Sequence, residues 1–417
     1  MLLSDIGRRH MFWGLFFINF AITLGFGIAD AFFSVYLQSL AVHGMLFGLA
    51  IGSYALAKML FSPLMGFWSD RVGRRKFVLA SLFLYVAVSL FYITTSDPAA
   101  IILIRLLQGI GFAIFRPVVS SLVADYAPAE KRASIMGTFD ISFYSAIGLG
   151  PIVGGVIKDI FGYAGIFIVL AGLCLLALIL AFKCIPAAEQ TGQQGYNVVS
   201  IRNILSQWNN LKSNTIIIGL LAFIFGRTCS ISMFIAFLPM LLISDIGLNG
   251  TQIGFVMASS TVTMTLLLRP IGKLSDKINK KCLIIFGGTG VALLYMLIPA
   301  ADSLIQLLVV GSGIGFFSAL SQPASCALLV KEGNACGVGM TWGVTNTVVN
   351  LGFVVGPLMG TLIFSMVGAQ GVLLFSGLCG LITVAIFVFC IMPAPVPCEL
   401  HGPIRCSSSG ASEGLEA

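Results

Sequence analysis

Charge is what this chain has least of. Only 9% of its 417 residues are Asp, Glu, Lys or Arg, where soluble domains carry about 25%. So few ions do not cover a water-facing surface of this size, which excludes an ordinary soluble protein. Histidine is almost missing as well. His10, His43 and His401 are the whole set, too far apart in sequence to offer a metal-ligand spacing, so no metal site is expected. The ten cysteines begin only at Cys174. They fall in apolar runs or in segments assigned below to the cell interior, and outline no secreted disulfide framework. No small-residue cleavage site follows the first apolar run, which is too long for a signal-peptide core and reads as a retained helix. A nucleotide-binding loop is absent, so energy is expected from a gradient. No catalytic cluster or cofactor motif is visible, and an enzyme is not expected.

What fills the chain instead is apolar runs. Twelve occur, at about 11–40, 44–66, 77–95, 99–122, 134–157, 160–182, 214–243, 250–271, 282–300, 303–330, 337–366 and 370–392. A bilayer crossing needs about 20 such residues. Gly and Pro are frequent within them, which transmembrane helices tolerate. A porin-like barrel would show short alternating segments instead. The expected fold class is an all-α polytopic membrane protein of twelve spans, with the lipid bilayer as its surroundings.

Lys and Arg accumulate on the cytoplasmic side. If both termini are cytoplasmic, the inside holds Arg8, Arg9, Arg71, Arg74, Arg75, Lys76, Lys131, Arg132, Lys183, Arg202, Lys212, Lys273, Lys277, Lys280, Lys281, Lys331 and Arg405, and only Lys158 remains outside. The outer loops carry Asp97, Asp159, Asp245 and Asp302. This asymmetry explains the net charge of +7 through topology, without a nucleic-acid partner.

The first half of the chain repeats in the second. A shift of 206 residues superposes Gly44 on Gly250, Gly48 on Gly254, Gly66 on Gly272, Asp70 on Asp276, Gly109 on Gly315, Pro117 on Pro323, Gly137 on Gly343, Gly150 and Pro151 on Gly356 and Pro357, and Gly154 on Gly360. One offset without gaps implies two six-helix bundles of the same design. Six is even, so both enter the membrane in the same sense, and parallel repeats relate by an axis along the membrane normal. The expected organisation is an N-terminal bundle over 1–185, a cytoplasmic linker over 186–213, a C-terminal bundle over 214–392 and a disordered tail over 393–417. Two such bundles imply a central site exposed to each side in turn.

Three motifs carry a resemblance. "GFWSDRVGRR" (66–75) sits between spans 2 and 3, "RLLQGIG" (105–111) in span 4, and "AIGLGPIVGG" (146–155) in span 5. With them the chain resembles the major facilitator superfamily, and within it the twelve-helix drug:proton antiporters. The resemblance implies that Gly66, Asp70, Arg71, Gly73 and Arg74 form a conformational latch, with Asp70 at the N-terminus of span 11 and Arg74 paired with Asp125. Its contact would form when the cytoplasmic side closes and break when it opens. Asp276 marks a weaker second copy, with Asn279 where the first copy has Gly73. Ala146, Gly150 and Gly154 share one face of span 5, as Gly352, Gly356 and Gly360 do on span 11. Such faces admit a second helix closely. The resemblance implies that this packing, with Pro151, Gly155 and Pro357, lies between the bundles and limits proton leak.

Ions within the spans are costly and default to function. At about 1.5 Å per residue, Asp30 and Arg105 fall near the outer end of spans 1 and 4, and Arg116 and Asp140 at equal depth near the inner end of spans 4 and 5. Two ion pairs are expected, Asp30–Arg105 and Asp140–Arg116, with Asp30 and then Asp140 as the candidate proton carriers. The resemblance adds a role for Arg105 in proton transfer. It also implies that spans 1, 4, 7 and 10 line the cavity. Asp30, Phe33, Tyr36, Phe115, Arg227, Gln322, Trp342 and Asn346 are the candidate cavity residues. Three cations there against one anion argue for an anionic or zwitterionic solute.

The expected activity is proton-coupled export of small amphipathic molecules by one chain at the bacterial inner membrane. The alternative is a symporter importing an organic anion.

Overall fold

The computed structural model describes residues 5–127, 132–185, 211, 213–275, 278–333 and 338–391. Asp276, most of the expected linker and the expected tail lie outside the described residues. Backbone groups in hydrocarbon must bond internally, and the described chain is helical with no strand. The helices are α1 (Asp5–Ser39), α2 (Met45–Val72), α3 (Arg74–Thr94), α4 (Pro98–Tyr126), α5 and α6 (together Arg132–Cys184), α7 (Thr215–Ser244), α8 (Gly250–Ser275), α9 (Lys280–Leu297), α10 (Leu304–Gly333), and α11 and α12 (together Val338–Ile391). Among the described residues, ten continuous helices are thus long and apolar enough to cross a membrane. Two of them each contain a pair of the twelve runs.

The joints explain that difference. α5 meets α6 at Gly162 (φ 68°, ψ −165°), and α11 meets α12 at Gly368 (φ 76°, ψ −173°). These two residues are 206 apart and adopt the same left-handed conformation, which glycine enters without a Cβ penalty. The helix therefore turns without a polar loop. Elsewhere, side chains close the helix ends: Asp97 accepts from Ala100 N at 3.0 Å, and Asn214 from Ile216 N and Ile217 N at 3.0 and 3.2 Å.

Packing repeats with the sequence offset. α1 packs on α5 and α6 as α7 does on α11 and α12; α2 on α4 as α8 on α10; α3 on α4 and α6 as α9 on α10 and α12. The bundles meet along two equivalent seams, α2–α11 and α5–α8, with a smaller contact between α1 and α7. Large apolar side chains such as Phe161, Leu266, Ile305 and Phe389 are exposed on the outside. In water this would be a liability, whereas against lipid tails it is the expected perimeter. The face holding the α2–α3 and α8–α9 turns is called the basic face below. The opposite face, with Asp97, Asp159, Asp245 and Asp302, is the acidic face.

The turn at the basic face is shorter than the motif 66–76 suggests. α2 continues to Val72, and Gly73 alone (φ 108°, ψ 123°) reverses the chain before Arg74 opens α3. At the equivalent position Asn279 is extended and caps α9, accepting from Lys281 N at 3.0 Å.

Candidate functional site: a cavity between the bundles

A cavity of about 380 Å³ lies between the two bundles. Its wall is mostly aromatic and aliphatic, with Phe26, Phe112, Phe143 and Ile147 from one bundle and Phe234, Tyr295, Ile314 and Phe353 from the other. Polar groups are few: Asp30, Lys58, Thr23, Ser260, Thr261 and Ser318. A smaller space of about 200 Å³ shares Asp30, Tyr54, Lys58, Ile235 and Phe353 with it and adds Phe33, Arg105 and Asn350.

Both expected ion pairs are present. Arg105 Nη1 donates to Asp30 Oδ1 at 2.6 Å. It also donates to Gln108 Oε1 at 3.1 Å, and Tyr92 OH donates to the same oxygen at 2.8 Å. The guanidinium carbon stands 3.3 Å from the centre of the Phe33 ring, a cation–π contact. Exposure is unequal. The Arg105 side chain is 6% exposed and that of Asp30 38%, so the cation is sealed while the carboxylate opens on the cavity. Deeper toward the basic face, Arg116 Nη2 donates to Asp140 Oδ1 at 2.8 Å. Asn19 Oδ1 accepts from Arg116 at 3.3 Å, and Asn19 Nδ2 donates to Ser142 Oγ at 2.7 Å. Phe143 lies 4.3 Å from this guanidinium.

Other cavity candidates fall elsewhere. Phe115 is buried against Tyr85. Tyr36 is buried against Phe167, its hydroxyl donating to Thr95 O at 3.4 Å. Trp342 and Asn346 are exposed on the face of α11 that carries Asn350 and Phe353 further along, without lining either space. Gln322 does not line the cavity, and Arg227 lines a separate small pocket. The picture of three cavity cations against one anion is corrected accordingly. Arg105 and Arg116 each have a carboxylate, and among the described residues the cation on the central wall without an ion pair is Lys58, its ammonium 4.6 Å from the Phe112 ring centre. Its charge in an apolar run was visible in the sequence, but its face was not. The lining is also broader than spans 1, 4, 7 and 10, because α2, α5, α8, α9 and α11 contribute as well.

The glycine motifs serve two different contacts. A Cβ on Gly150 would stand 2.8 Å from Gly27 Cα, and one on Gly154 2.8 Å from Ile28 O, so this stripe receives α1 of its own bundle. Gly352, Gly356 and Gly360 likewise receive α7 at Thr228, Ser232 and Phe237. The seam between bundles uses the adjacent face. There a Cβ on Gly155 would fall 2.2 Å from Gly250 O, and one on Gly254 2.2 Å from Pro151 O. The second seam repeats this with Gly48 on Pro357 O at 3.1 Å. The difference arises because a stripe spaced by four faces one neighbour only, and residues 151 and 155 lie one step further round the helix.

Both seams lie in the half of the bilayer nearer the acidic face, so that face is shut. Asp159 at the end of α5 fastens one of them. Its carboxylate accepts from Gly250 N and Thr251 N at 2.7 Å each and from Thr251 Oγ1 at 2.6 Å. These are the free amides of the α8 N-terminus, where an anion is favoured. The equivalent position on α11 is Ser365, whose hydroxyl donates to Leu362 O in its own helix. Asp159 is exposed, so screening limits its contribution to about 1 kcal/mol. Asp159→Ala is expected to raise opening of the acidic face roughly fivefold, read as thiol labelling of a cysteine introduced at Ile152. An unchanged labelling rate would remove Asp159 from the closure.

At the basic face Arg74 pairs with Asp125. The side chains of Asp70 and Arg71 lie outside the described residues. This pair joins α3 to α4 within one bundle, and it is made here with the acidic face shut.

A family model described as Major Facilitator Superfamily matches residues 15–229 and again 224–403. An uncharacterised MFS-type transporter of Methanocaldococcus jannaschii is 26% identical over 361 residues, covering 86% of this chain and 92% of its own. The multi-drug resistance efflux pump PmrA of Streptococcus pneumoniae is 25% identical over 382 residues, covering 87% and 91%. Among solved structures, a bacterial homologue of the human lysosomal transporter Spinster, inward-facing and occupied, aligns with a TM-score of 0.77 at 14% identity, covering 93% of this chain and 97% of that one.

Proposed function

The chain belongs to the major facilitator superfamily, and on that premise we propose that it exports small amphipathic molecules in exchange for protons. The carrying observation is the asymmetric pair at the cavity wall. Asp30 is open to the space a solute would fill, while its partner Arg105, at the edge of the smaller space, is almost wholly buried. When Asp30 is ionised the pair is neutral. Protonation leaves the buried guanidinium without its counter-charge, which raises the energy of this arrangement and favours another. Asp140 and Arg116 form a second relay toward the basic face. In this reading Gly66, Asp70, Arg71, Gly73, Arg74 and Asp125 steady the basic face, which is cytoplasmic in a bacterial inner membrane with both termini inside.

The cavity supports the substrate class. Its size lies within the range of small-molecule sites, about 300–1,000 Å³, and its wall is aromatic with a few polar groups. Lining from both bundles of one chain supports a monomer as the working unit. The relative named as a multi-drug resistance efflux pump matches over nearly its whole length, which supports export over import.

The test uses everted membrane vesicles with an imposed acid-inside gradient and a panel of amphipathic dyes. Accumulation that collapses when the gradient is dissipated is expected. Uptake driven only by the opposite gradient would assign the symport reading instead.

A further inference from the structure

Arg227 is a charge within the helices that the transport cycle above does not use. It lies on α7 and lines a pocket of about 20 Å³ among α7, α9, α10 and α12. Among the described residues it forms no ion pair and no hydrogen bond, and its Nε is buried without a partner. An unpaired guanidinium inside a bilayer protein is costly, and such groups mark ion sites by default. The other polar groups around the pocket sharpen the assignment. The hydroxyls of Ser230, Ser321 and Thr383 already donate to backbone carbonyls, at 2.6 Å to Ser376 O, 3.3 Å to Ser318 O and 3.0 Å to Gly380 O. Tyr295 lines the same pocket, and its hydroxyl engages no described group. With those three protons committed, the groups still free to donate are the Arg227 guanidinium and the Tyr295 hydroxyl; the first carries positive charge, and no carboxylate lines the pocket.

We propose that this pocket binds a single small monovalent anion of halide size, held by the Arg227 guanidinium and the Tyr295 hydroxyl. The space admits about one water-sized body, so an organic carboxylate with its scaffold does not fit. The anion removes the uncompensated charge from the C-terminal bundle. Tyr295 also lines the central cavity, so the anion would sit behind one wall of the solute site. The proposal does not depend on the direction or energy source of transport.

The test is thermal unfolding of the full chain in detergent, with sodium chloride, bromide or gluconate exchanged at constant ionic strength. Chloride and bromide are expected to raise the unfolding temperature saturably, and gluconate is not. Arg227→Gln should abolish the halide response. Tyr295→Phe removes one donor while keeping the ring, and should shift the chloride midpoint roughly fivefold higher. This second variant keeps the test decisive if Arg227→Gln does not fold. A crystal grown in bromide should show anomalous density beside Arg227. Equal stabilisation by gluconate and chloride, or a chloride midpoint unmoved by Tyr295→Phe, would overturn the proposal and leave a water in the pocket.

Discussion

Asp30→Asn is expected to reduce gradient-driven transport to background while the protein remains folded. The replacement keeps the shape of the side chain and an oxygen for Arg105, so packing around Phe33 and Gln108 is preserved. It removes the charge that balances the guanidinium and the proton that exchanges with it. Removing one partner of a buried pair costs about 3–5 kcal/mol when the remaining charge stays buried, and each 1.4 kcal/mol is about a tenfold population change. A coupled rate at least a hundredfold lower is therefore the expected reading. Asp140→Asn should do less. Its pair is the more open on the cation side, with Arg116 24% exposed against 6% for Arg105, and Asn19 offers Arg116 a second acceptor. The assay is dye accumulation in acid-inside everted vesicles. Full activity in Asp30→Asn would exclude Asp30 as the proton carrier.

Gly155→Val is expected to have the second largest effect, through geometry rather than charge. Its Cβ would fall 2.2 Å from the Gly250 carbonyl oxygen, and backbone does not yield to a methyl group as a flexible side chain does. Overpacking costs about 1–3 kcal/mol. Because the contact exists only with the acidic face shut, that cost falls on one of two states and shifts the population roughly fivefold or more. Transport should fall while the unfolding temperature changes little, and labelling beneath the seam should rise. Gly172→Val is the control, since nothing lies within 4 Å of its Cβ position. Equal losses in both variants would mean that the seam is not special.

Much of this was legible in the sequence, for identifiable reasons. The 206 offset predicted the paired architecture because glycine, proline and aspartate positions are set by backbone geometry, and Gly162 and Gly368 sharing one left-handed conformation is that offset made visible. Asp30–Arg105 and Arg116–Asp140 were legible because ions are rare in spans and depth follows from residue number. What could not be read was rotation about each helix axis. Lys58 was counted but not placed, because a single charge does not say which neighbour it faces. Tyr36 and Phe115 resemble cavity aromatics in the sequence and turn out to be core. The same ambiguity hid the division of the span 5 glycines between α1 and α8, and only the coordinates separate residue 154 from residue 155. Asp159 drew notice as an outer-loop acid, but its partner is ninety-one residues away and no local pattern announces it.

The most direct measurement is a pair of spin-label distances followed together in one sample series. One pair joins Ile160 to Met366, offset mates exposed at the acidic ends of α5 and α11. The other joins Lys76 to Cys282, offset mates exposed at the basic ends of α3 and α9. Labels are introduced with the remaining native cysteines replaced, and distances are recorded across a pH series with and without a transported dye. Rocking of two rigid bundles predicts that the two distances change in opposite directions, the first lengthening as the second shortens. Distances that stay fixed, or that lengthen together, would contradict it.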